Sequence, residues 1–214
     1  MARKEFDFSG FTGVEVRNAM KLEVKRGEKF SVAVEADDQA LNDVKVSLFN
    51  NVLTAKLEAR WGHVGMFFKG VASPKLFVTM PEIRSVELAA ASRGEISGFT
   101  GLETFQATLA GASTLTGDVS SKQMKLEGGA ASHFELSGSA DTADIELSAA
   151  SNANLEKMTV GDARIKLGGA ASMTIEVKGK LDASVSGASN LRWLGTPTLG
   201  DVRITGASSF SKKT

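Results

Sequence analysis

The 214-residue chain has no cysteine, which excludes disulfides, thiolate nucleophiles and cysteine metal ligands. Histidine is nearly absent too: His63 and His133 are too little material for an imidazole-based metal site. Neither sign of charge is in excess. The 25 basic residues balance 25 acidic ones, so no net field draws the protein to nucleic acid or an anionic membrane. No run of about 18 apolar residues occurs, so there is no transmembrane helical segment. The opening MARKEFDFSGF lacks the apolar stretch of a signal peptide, which fits either a cytoplasmic protein or a mature form whose export signal has been removed. Three prolines against 22 glycines favour an extended architecture with many tight bends and few helices, and 42% apolar residues supply a core.

What the sequence does have is a repeat. Ala-Ser, usually preceded by Gly or Ala, ends at Ser92, Ser113, Ser132, Ser151, Ser172, Ser189 and Ser208, at successive intervals of 21, 19, 19, 21, 17 and 19. A period of about 19 residues is the signature of a repeat array. Before each Ala-Ser, apolar and polar residues alternate, as in Phe105-Gln106-Ala107-Thr108-Leu109 and Ala163-Arg164-Ile165-Lys166-Leu167. That alternation marks strands with one face in a core. Further apolar pairs follow the serine, among them Phe134 with Leu136, and then often a glycine such as Gly117 or Gly138.

Strand, small corner, strand and glycine bend within one period predict an all-β chain folded as a parallel β-helix, or β-solenoid, with coils of about 19 residues. Corners stacked about 4.8 Å apart need small side chains, and serine hydroxyls at that spacing can bond nearby backbone or one another. The seven serines therefore read as structural corners, and no His-Asp pattern or G-x-S-x-G motif accompanies them to mark a nucleophile. Residues 81–214 are expected to form the regular coils. Residues 1–80 form a less regular β-rich part of the same domain, with Asn18-Ala19 as an early corner, Asn50-Asn51 as a hairpin turn and antiparallel excursions that cap the solenoid.

The segment FSGFTGVEVRNAMKLEVKRGEKFSVAVEADDQALNDVKVSLFNNVLTAKLE, then KLFVTMPEIRSVELAAAS and the Gly-Ala-Ser coils, resembles a bacterial family of unknown function described as putative auto-transporter adhesin, head GIN domain. The resemblance runs from about Phe8 to Phe210. It implies a parallel β-helix-like domain, exported or associated with the cell envelope as a mature periplasmic or secreted form, with no established catalytic activity and no cofactor.

Outside the repeat, Arg60-Trp61-Gly62-His63-Val64-Gly65-Met66-Phe67-Phe68-Lys69-Gly70 is the most unusual stretch. Trp61, Met66, Phe67 and Phe68 are too apolar for a solvated loop. They read either as an element folded back over the solenoid or as an exposed patch for a second subunit, a lipid or another ligand. Trp193 reads either as a plug for the C-terminal end or as a stacking platform for sugar. His133 should face outward. Asp141, Asp144 and Glu146 could meet Asp162 or Asp182 across coils as a calcium site, yet Arg164, Lys166 and Lys180 are interleaved with them. The function these features support is a non-enzymatic surface module, with a glycan, a lipid, a surface protein or a second copy of itself as candidate partners. A self-assembling scaffold and, below it, a polysaccharide-binding or polysaccharide-cleaving β-helix are the alternatives.

Overall fold

The structure, a computed structural model, describes residues 1–58 and 72–213. In chain order the opening half holds β1 (Ala2–Phe6), β2 (Gly13–Arg17), β3 (Lys21–Arg26), β4 (Ser31–Ala36), the short helix α1 (Asp38–Asp43), β5 (Val44–Phe49), β6 (Val52–Leu57), β7 (Lys75–Met80) and β8 (Ser85–Ala89). Four long bent strands follow: β9 (Arg93–Leu109), β10 (Thr114–Gly128), β11 (His133–Leu147) and β12 (Asn152–Leu167). The chain closes with β13 (Ser172–Val177), β14 (Lys180–Val185), β15 (Asn190–Gly195), β16 (Thr198–Ile204) and β17 (Ser209–Lys212). Together they make a β-solenoid of about seven turns, with about 19 residues in each.

Each coil contributes one strand before its corner and one after it, and both stack in parallel on the neighbouring coil. Before the corner, inward columns such as Val86, Ala107, Leu126, Ile145, Ile165, Ala183 and Val202 run from coil to coil. After it, Phe134, Ala153, Met173, Leu191 and Phe210 form a corresponding column. All but Val202 and Phe210, at the last coil, are buried, so the core is a continuous rod of aliphatic and aromatic side chains. The period-two alternation in the sequence is this division between core and solvent.

The corner is a two-residue turn in left-handed backbone. Ala90 and Ala91 have φ of 54° and 62°, Gly111 and Ala112 61° and 59°, and Ala130 and Ala131 52° and 64°. The serine that follows points inward and closes the turn. Hydroxyls of Ser92, Ser113, Ser151 and Ser189 donate to the carbonyls of Ala89, Ala110, Ser148 and Ser186 at 2.7–2.8 Å. Ser132 donates instead to Ser151 Oγ at 3.2 Å, linking two coils. A buried hydroxyl needs such a partner, and the carbonyl three residues back is the nearest one available.

Ser172 departs from this pattern. Register pairs it with Asn152 and Asn190, one step past the serine slot, and the buried residue between Ser151 and Ser189 is Ala171. Counted to Ala171, the intervals on either side become 20 and 18 in place of 21 and 17, so the one-residue displacement accounts for half of their inequality. Ser172 lies on the outer surface and accepts a hydrogen bond from Asn152 Nδ2.

Between the two ladders the chain bends at glycines that touch the preceding coil. Gly138 has φ 119°, and a Cβ there would collide with the Val119 carbonyl oxygen; Gly117, at φ 132°, stands in the same relation to Ile96. No other residue fits such a position.

The opening half enters the same ladders out of sequence order. β2 lies between β6 and β8, and β3 lies between β7 and β9, all parallel. Asn18 and Ala19, with φ of 65° and 59°, make a corner beneath Ala90-Ala91, and Met20 fills the slot below Ser92. Antiparallel strands then cover this end: β5 pairs with β6 through the Asn50-Asn51 turn, and β4 lies between β7 and β1.

Candidate functional site

Where each coil turns into its pre-corner strand, the outer surface is concave, and the concavity runs along the solenoid as a groove of about 780 Å³. One wall is the column Thr104, Gln123, Thr142 and Asp162, continued by Lys180. The other is Gln106, Lys125, Asp144, Arg164 and Asp182. The residue between them in each coil points inward: Phe105, Met124, Ala143 and Ala163. The volume is typical of ligand sites.

Charges alternate along the second wall. Lys125 faces Asp144, Asp144 faces Arg164, and Arg164 faces Asp182 across successive coils, the opposite-charge arrangement that favours parallel stacking. Asp162 and Asp182 are bound by backbone: the amide of Lys180 donates to Asp162 at 2.7 Å and that of Asp201 to Asp182 at 2.8 Å. The Lys180 ammonium, 3.0 Å from Asp182, holds that carboxyl below the usual carboxylate range, helped by the Asp201 amide. Glu127, 2.7 Å from Lys125, raises the lysine in turn. Gln106, Gln123, Thr104 and Thr142 complete a surface of uncharged donors and acceptors.

The carboxylates considered for calcium do not converge. Asp144 and Glu146 pair in register with Arg164 and Lys166, and among the described residues no group of three His, Asp or Glu is placed to hold a metal ion. His133 stands in the outward column that continues through Asn152, Ser172 and Asn190, lining a second, smaller concavity of about 420 Å³. Trp61, Met66, Phe67 and Phe68 lie outside the described residues. Trp193 follows Ile175 in an inward column, with its ring 6.1 Å from that of Phe210 and the Lys212 ammonium 5.4 Å from its centre. Its Nε1 is buried without a hydrogen-bond partner among the described residues.

The groove was not singled out in the sequence. Its signal is nonetheless there, as polar residues recurring two positions apart, Thr104 with Gln106 and Gln123 with Lys125, before each pair of inward strand residues. Reading them as two walls requires the register between coils, and bulges interrupt that register between Gly117 and Val119 and again between Glu135 and Gly138.

Solved structures share this architecture over their whole length. A putative adhesin from Bacteroides fragilis superimposes with a TM-score of 0.84 at 12% identity, covering 99% of this chain and 96% of that one. A putative lipid binding protein from Parabacteroides distasonis gives 0.73 at 13% identity, with 100% and 96% covered. A putative adhesin from Parabacteroides merdae gives 0.63 at 12%, again with 100% and 96% covered. At such identities the likeness is one of fold. No curated protein matches the chain. The family model for the putative auto-transporter adhesin, head GIN domain, matches residues 10–197, and the chain belongs to that family.

Proposed function

We propose that the protein is a non-enzymatic adhesion module of the bacterial cell envelope, and that its groove holds an extended, hydroxyl-rich polymer such as a surface glycan lying along the solenoid axis. The observation that carries this reading is the repetition of the walls: amide, hydroxyl and charged side chains recur coil after coil at a spacing of about 4.8 Å. A regular row of donors and acceptors suits a ligand that is itself long and periodic. The corner serines support the absence of catalysis, because their buried hydroxyls already donate to turn carbonyls or to a neighbouring serine. Membership of a family described as adhesins supports both the role and the envelope location.

The test is binding of the whole chain to immobilised bacterial polysaccharides, compared with a Gln123→Ala, Arg164→Ala variant. Both side chains are exposed, so the fold should be unaffected. A loss of tenfold or more in affinity is expected. Equal binding by both proteins, or binding only to phospholipid vesicles, would remove the groove from the proposal.

A further inference from the structure

The two ends of the solenoid are finished differently. At the N-terminal end the outer strands are blunted by charge: β1 carries Arg3, Lys4 and Glu5, and β5 carries Lys45. At the other end β16 and β17 form the last coil among the described residues. Leu199 stacks on Leu181, Val202 on Ala183, Ile204 on Val185 and Phe210 on Leu191, each extending an inward column whose previous member is buried. In the last coil these columns meet solvent. Leu199 and Ile204 are 47% and 46% exposed, two of the four large apolar side chains most open to water among the described residues. Among the described residues the row Leu199, Val202 and Ile204 carries no charge of its own; the nearest inward charge is Lys212 on β17, stacked on Trp193 beside Phe210, and β16 bulges between Leu199 and Val202.

Such an end is completed by another solenoid end, and the sequence of β16 selects the arrangement. We infer that two copies of the chain associate through their C-terminal coils about a twofold axis, with β16 of one copy running antiparallel to β16 of the other and Val202 at the centre. In that register Asp201 of each copy lies directly opposite Arg203 of the other, on the outer surface, and this occurs twice. Both side chains are exposed, and neither has an ion-pair partner among the described residues. Opposite charges facing across a strand pair stabilise it, and like charges destabilise it. The twofold brings the apolar end surfaces of both copies together, as a self-complementary patch requires. Head-to-tail stacking would instead set this apolar end against the charged strands at the other end and would continue into open filaments.

Charge reversal tests the geometry. Wild-type protein should elute at twice the monomer mass of 22.5 kDa by size exclusion with light scattering at about 100 μM. Asp201→Arg alone sets Arg against Arg, and Arg203→Asp alone sets Asp against Asp. Each should weaken self-association tenfold or more while leaving the circular dichroism spectrum unchanged. Mixing the two variants restores both attractive pairs, so an equimolar mixture should return to dimer mass. A fold defect could not be repaired by mixing. A monomeric wild type, a series of larger species growing with concentration, or single reversals that dimerise as well as wild type would each overturn the proposal.

Discussion

Ser113 shows how a single side chain holds the repeat. Its hydroxyl is buried and donates to Ala110 at 2.8 Å, closing a turn whose two residues are both left-handed. Ser113→Ala removes that bond without creating a clash, and Ala171 occupies the same slot two coils beyond Ser132, so the cost should be about 1 kcal/mol. Ser113→Val has the wrong shape for a space between Ser92 and Ser132 and should cost about 2–3 kcal/mol. Denaturant midpoints of the two variants separate the contributions: equal losses would mean that the hydroxyl matters and the size of the slot does not. The bend glycines are stricter, since what they touch is backbone. Gly138→Ala must move the Val119 carbonyl or abandon its φ of 119°, and a loss of about 3 kcal/mol or more is expected in the same measurement.

At the scale of strands, pairing between coils is reinforced by outward charges. Glu23 on β3 lies 2.7 Å from Lys25 on the same strand and 2.5 Å from Lys75 on β7, with its side chain only 17% exposed. The hydrogen bond from Lys25, then that from Lys75, holds its carboxyl below the ordinary value of 4.5, against the opposing effect of burial. A depressed carboxylate contributes stability above its unfolded value and loses that contribution as pH falls through the folded one. Glu23→Gln should therefore lower Tm at pH 7, by an amount corresponding to about 1 kcal/mol or less, and the gap should close below pH 4. A gap that persists at pH 3 would show that the effect is packing, not charge.

The same strands show what the sequence could and could not convey. Corners and core columns were legible because a period of about 19 residues and a period of two are local properties of the chain. Ser172 misled for the opposite reason: Ala-Ser is read by identity, whereas the slot is defined by register, and there Ala171 serves equally well. The insertion of β2 between β6 and β8, and of β3 between β7 and β9, leaves no periodic trace, because the partners of Val14, Leu53 and Val86, belong to different passes of the chain. The groove was hidden likewise, its walls being defined by which polar residues become neighbours across coils.

For the whole molecule, this architecture predicts an uneven distribution of stability. Every inner coil is covered on two sides, so Ile145 on β11 has Leu126 and Ile165 against it and is fully buried. Among the described residues the last coil is covered on one side only, its β17 held through β15. In a linear array stability is the sum of each unit and its interfaces, and a terminal unit has one interface fewer. Native-state hydrogen exchange, at concentrations too low for association, should find the amides of β17 exchanging ~100-fold or more faster than those of the central strands β10 to β12. The covered end should behave differently: β6 and β7, flanked by antiparallel partners, belong with the protected group. Raising the protein concentration then gives a second reading of the same amides. If copies join through β16, its protection rises with concentration while that of β10 to β12 stays constant. Uniform exchange along the chain at every concentration would mean that the coils open as one cooperative unit, contrary to the linear picture.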